Sequence, residues 1–183
     1  MTVCLLYSGW LRTYEQCKPN HNGNLQAEVF RESHINERNT EINYITEYVP
    51  EYDSNKAPET KAQHTINQWR NMWLCFEQAP KDCDIYCRMR YDIKLSGPVV
   101  FKDYEINDNT VWIPENGDFR DGCNDQFAFG NYNAMKNYFN VYLHYRDIFA
   151  NGHQFHTESY LKRNLINNGI EIKRLNIQTE IIR

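Results

Sequence analysis

The sequence has no surplus of positive charge. Twenty Lys and Arg stand against 24 Asp and Glu in 183 residues, a formal net charge of -4. The broad cationic field that general nucleic-acid or acidic-membrane binding needs is therefore missing, and no nucleic-acid partner is expected. Long apolar runs are missing too. The N-terminal run Val3 to Tyr7 has no basic stretch before it and falls far short of the ~20 apolar residues that span a bilayer. The expectation is a cytoplasmic protein without a transmembrane segment. Repeats and low-complexity tracts are absent, and the length suits one domain, 1-183, with a sizeable core. Six cysteines are present, but without a secretory leader they read as reduced thiols, and Cys83 and Cys87 lack a second ligand pair for zinc. The 13 tyrosines fit either stacking on flat ligands and sugar faces or a bias in composition.

What is present is an alternation of strand and helix signals. "TVCLLYSGW" is a short apolar run stopped at Ser8-Gly9, as a buried strand meeting a ligand-facing loop would be. The segment from Leu11 to about Ser33 reads as partly helical, interrupted by Pro19 and "NHNGN". "EINYITEYV", residues 41 to 49, predicts a second strand ending at Pro50, followed by a loop to Glu59. Ile66, Trp69, Trp73 and Phe76 recur at helical spacing and predict a helix over 61-78. "IYCRMRYDI", residues 85 to 93, predicts one strand, with Ile85, Cys87, Met89, Tyr91 and Ile93 on one face and Arg88, Arg90 and Asp92 on the other. "TVWIP" predicts a further strand, and 131-149 a single amphipathic helix. A last helix runs from about Thr157 to Asn168 and stops at Gly169, before the strand "IEIKRLNI". Such alternation predicts a mainly parallel α/β sheet flanked by helices, a Rossmann-like arrangement, with ligands beyond the carboxyl ends of its strands.

Three loops then become candidates: Ser8 to Arg12, Arg90 to Asp92, and the one leading to Asp125. Arg88, Arg90 and Asp92 have two readings. One is an ion-paired strand face in which Arg90 neutralises Asp92. The other is an anion site, since guanidinium groups match diphosphate oxygens and a neighbouring carboxylate suits a divalent metal or a ribose hydroxyl. Arg12 either starts a helix in solvent or adds charge beside Gly9, where backbone approaches closely. Either Asn124 or Asp125 caps the first turn of a helix, or Asp125 binds an acceptor hydroxyl or stabilises a developing cation while Gln126 supplies a neutral hydrogen bond. His156 in "HTE" is either structural or a late metal ligand or base.

In order along the chain, "LLYSGWLRTY", "DIYCRMRYDIKL", "VWIPENGDFRDGCNDQFAFGN" and "HTESYLKRNLINNGIEIKRL" resemble small GT-A type nucleotide-sugar glycosyltransferases found in large algal DNA viruses and bacteria. The resemblance covers most of the chain except about Pro19 to Glu59. It implies a GT-A-like fold and transfer of a sugar from a nucleotide-diphosphate donor, such as a UDP-sugar, to a glycan or other hydroxyl acceptor, assisted by Mn2+ or Mg2+. On this likeness Ser8, Gly9, Arg12, Arg88, Arg90 and Asp92 would bind the donor, Asp92 and His156 the metal, and Asp125 with Gln126 would stand at the chemistry. The family's Asp-x-Asp metal motif falls on "RYD", so Arg90 replaces the first carboxylate. A non-catalytic nucleotide-sugar or glycan-binding module derived from such an enzyme is the alternative.

Overall fold

The computed structural model describes residues 1-9, 11-36, 59-151 and 155-183, with the backbone alone for Arg12 and for residues 35-36 and 59-63. Among the described residues six strands form the central sheet: β1 Thr2–Gly9, β3 Val29–Asn36, β4 Ile85–Met89, β7 Thr110–Pro114, β8 Phe127–Gly130 and β9 Glu171–Leu175. Their spatial order is β3-β1-β4-β8-β7-β9. The β1/β3, β1/β4 and β7/β9 pairs are parallel, and only β8 runs against its neighbours β4 and β7. The sheet is therefore mostly parallel, as the sequence predicts. Among the described residues no helix is long and apolar enough to cross a membrane, and all six cysteines are free thiols.

Both faces of this sheet are covered, which is why β1 is an uninterrupted apolar run. Cys4 and Leu6 join a core beneath α2 Glu59–Glu77, α3 Tyr132–Phe139, α4 Val141–Ala150 and α5 Thr157–Asn167. Val3, Leu5 and Tyr7 face a second core with Tyr14 of α1 Tyr14–Asn24 and Leu25 of β2 Leu25–Gln26, which pairs in parallel with β6 Val99–Val100. The helical stripe of α2 is realised in three of its four residues: Ile66, Trp69 and Phe76 are buried, each contributing about 2 kcal/mol relative to exposure, while Trp73 is half-buried.

Several expectations need correction. The strand beginning at Ile85 stops at Met89, the last residue paired with both β1 and β8. Arg90 to Asp92 form a turn, and Ile93–Leu95 becomes β5, paired antiparallel with an unforeseen β10, Thr179–Ile181. The predicted apolar face survives, because Ile85, Cys87, Met89, Tyr91 and Ile93 all enter the second core. The segment after Leu11 is helical only to Asn24, after which Val29–Asn36 supplies a strand beside β1. The expected strand at 41-49 and most of the loop after it lie outside the described residues. The single helix over 131-149 is two, broken at Asn140, and the apolar "FAF" supplies an interior strand that the sequence reading does not assign.

Candidate functional site

One edge of the sheet gathers the candidate residues. The parallel strands β1 and β4 end there, and the antiparallel β8 begins there. Met89 faces Phe127 across the ladder, and the backbone N–H of Arg90 donates to the carbonyl of Gln126 at 3.0 Å. This register places Arg90 beside the Asp125-Gln126 loop. The start of α5 joins the same edge, because the N–H of Cys123 donates to the carbonyl of Glu158 at 3.2 Å. Gly122 permits that approach: a Cβ there would lie 2.6 Å from the backbone nitrogen of Ser159. Gly9 closes β1 at φ 134, a conformation that glycine adopts without strain.

Arg88 is 1 % exposed. Its Nη1 donates to the carbonyl oxygen of Ser8 at 2.9 Å, to Ser8 Oγ at 2.7 Å and to the carbonyl of Met89 at 3.1 Å. Among the described residues it has no carboxylate at ion-pair distance, and its buried Nε has no partner. Burial lowers the pKa of this guanidinium, against the pull of the Tyr138 phenol and the Asp125 carboxylate. An arginine keeps its proton in such a place, so the sheet edge holds a buried cation bound only by neutral groups. Ser8 serves it directly. The side chain of Arg12 lies outside the described residues, while its backbone sits in a short 3-10 turn, Leu11–Thr13.

Arg90 and Asp92 form a bidentate pair, Nε to Oδ1 and Nη2 to Oδ2, both at 2.9 Å. The ion-pair reading of the sequence is thus realised, though in a turn and not along one strand face. Asp125, 4 % exposed, accepts at Oδ2 from Gln68 Nε2 at 2.6 Å. Gln126 takes its backbone from the loop's own turn, its N–H donating to Asn124 Oδ1 at 2.7 Å, and its buried Oε1 has no partner. Helix capping is excluded for Asp125, since the strand β8 follows it.

His156 precedes α5 with its ring stacked on Phe119, centroids 4.5 Å apart. Its Nδ1 stands 2.8 Å from Glu158 Oε2, but off the line of a hydrogen bond, so that buried nitrogen remains without a partner. Burial and Arg120 lower the pKa of His156. Burial first, then Asp125, pushes the carboxyl of Glu158 up to about 7. Asp125 thus acts electrostatically on Arg88, His156 and Glu158 together.

The donor set does not fit a divalent metal as it stands. Both oxygens of Asp92 already accept from Arg90, and among the described residues no three His, Cys, Asp or Glu side chains gather as metal ligands. Sequence reasoning missed Gln68 and Tyr138. Gln68 flanks the apolar stripe of α2 as any surface glutamine would, and Tyr138 reads as part of the stripe of α3. Only the fold turns the amide of one and the unpartnered phenol of the other towards this edge. Neither a protein-family model nor a curated protein matches the chain.

Proposed function

We propose that this chain is a GT-A-like glycosyltransferase that moves a sugar from a nucleotide-diphosphate donor to a hydroxyl acceptor. The carrying observation is Arg88, a buried guanidinium held at the end of β4, among the described residues, by carbonyl and hydroxyl oxygens alone. A buried charge without a counter-ion is costly, and an anionic ligand arriving at this edge would supply one. A diphosphate leaving group is such an anion. In the proposed reaction the bond between the anomeric carbon and the donor's phosphate oxygen breaks, its electron pair passing to the diphosphate. The acceptor oxygen bonds the anomeric carbon, and its proton passes to Asp125. Arg88 stabilises the developing charge from a fixed position, without reorganisation. No step in this scheme runs through a metal.

The test is titration calorimetry with a panel of UDP- and GDP-sugars, with and without Mn2+, followed by measurement of released nucleoside diphosphate. Binding and turnover are expected in the wild type, and Asp125→Asn should bind without turning over. A protein that binds none of these donors would overturn the proposal. The Arg90–Asp92 clamp favours a second reading, a non-catalytic nucleotide-sugar or glycan-binding module, because it occupies the carboxylate that the resemblance gives to the metal. Binding with no turnover under any condition would select the module.

A further inference from the structure

We infer that Gln68 is a positioning residue for Asp125, holding one carboxylate oxygen so that the other faces the acceptor hydroxyl. The inference rests on the reading of Asp125 as the group that takes the acceptor's proton. Gln68 Nε2 donates to Oδ2 at 2.6 Å, while Oδ1 has no hydrogen-bond partner among the described residues. One oxygen is therefore fixed and the other is left for a reacting group.

The helix that carries Gln68 is itself held. Trp69, the next residue, is fully buried and stacks on Tyr160 of α5 at 5.4 Å with an interplanar angle of 17°. It also meets Tyr145 of α4 at 5.9 Å and Phe155 at 5.5 Å. These rings set the rotation of α2, and so the direction in which Gln68 points. The short amide then joins α2 to the loop before β8, across 57 positions of sequence.

Other groups acting on Asp125 are Arg88 from β4, Tyr138 from α3, Cys123 from its own loop, and His156 and Glu158 at the start of α5. None of these has a hydrogen bond to its side chain among the described residues. Gln68 is thus the group that fixes its orientation, and a carboxylate free to rotate loses the near-attack geometry on which much of a rate enhancement depends.

The test compares wild type, Gln68→Leu, Gln68→Glu and Asp125→Asn in the full chain, measuring nucleoside diphosphate release from UDP- and GDP-sugars. Gln68→Leu should lower kcat at least ten-fold with KM for the donor unchanged and only a modest fall in Tm, since Oδ2 of the buried Asp125 loses its donor. Gln68→Glu sets a second carboxylate against Asp125. It should be impaired at pH 8 and regain turnover on acidification, as a shared proton restores the hydrogen bond. Wild-type kcat in Gln68→Leu, or a pH profile of Gln68→Glu parallel to wild type, would overturn the inference. If Asp125→Asn is inactive while Gln68→Leu keeps wild-type kcat, only this inference falls. No turnover in the wild type, or wild-type turnover in Asp125→Asn, removes the functional reading and this inference with it.

Discussion

Arg90 grips Asp92 with two parallel hydrogen bonds of 2.9 Å, and the two residues are separated in sequence only by Tyr91. The side chain of Asp92 is 4 % exposed and that of Arg90 is 24 % exposed. Removing the guanidinium leaves a buried carboxylate without this partner, which costs about 3 kcal/mol. Arg90→Met should therefore lower stability by roughly that amount in urea denaturation. Because the clamp already fills both oxygens, EDTA should leave donor binding by the wild type unchanged in calorimetry.

Arg88 should behave in the opposite way. Among the described residues its hydrogen bonds reach only neutral oxygens, so Arg88→Met removes a buried charge while keeping much of the side-chain volume. Relief of that desolvated charge offsets the cost of leaving the Ser8 and Met89 oxygens without a donor, so stability should change little. Affinity for UDP or GDP should nonetheless fall about 10- to 100-fold, the worth of a charge-assisted hydrogen bond. Denaturation and calorimetry on the same variant check both halves. Unfolding without the arginine would mark it as structural.

These two arginines show what the sequence makes legible. Period-two alternation correctly sends Ile85, Cys87, Met89, Tyr91 and Ile93 to one core, because that pattern depends only on local backbone geometry. It fails at Met89, where the ladder to β8 runs out at Phe127, a partner far away in sequence. The same limit hides β10, which forms only against β5. Asp125 is recognisable as a charged residue in a glycine-containing loop, yet the amide that orients it comes from a helix 57 residues earlier. Nothing local in "INQWRN" distinguishes Gln68 from a solvated side chain.

His21 gives the fold a pH dependence of definite sign. It is fully buried, with Nε2 2.7 Å from the carbonyl of Ile93 and Nδ1 3.3 Å from the Tyr7 hydroxyl. The carbonyl can only accept, so Nε2 carries the proton and Nδ1 accepts from Tyr7 in a neutral ring. Burial lowers the pKa from the ordinary 6.5. Below that value the unfolded chain binds a proton that the native state refuses, so stability is lost as pH falls and levels off beneath the folded pKa. Thermal melts from pH 8 to pH 5 should show this decline, with a smaller slope in His21→Gln.

Gly122 is the point at which α5 rests on the loop before β8. Its backbone conformation is open to other residues, so the constraint is space alone. A Cβ would fall 2.5 Å from Cβ of Glu158 and 2.6 Å from the nitrogen of Ser159. Backbone atoms cannot swing aside as a flexible side chain does, so the helix start must shift. Overpacking of this kind costs about 1–3 kcal/mol, and the displacement would carry Glu158 and His156 away from Asp125. Gly122→Ala should therefore lower both the denaturation midpoint and nucleoside diphosphate release. Gly23→Ala, where an added Cβ meets nothing within 4 Å, should lower neither.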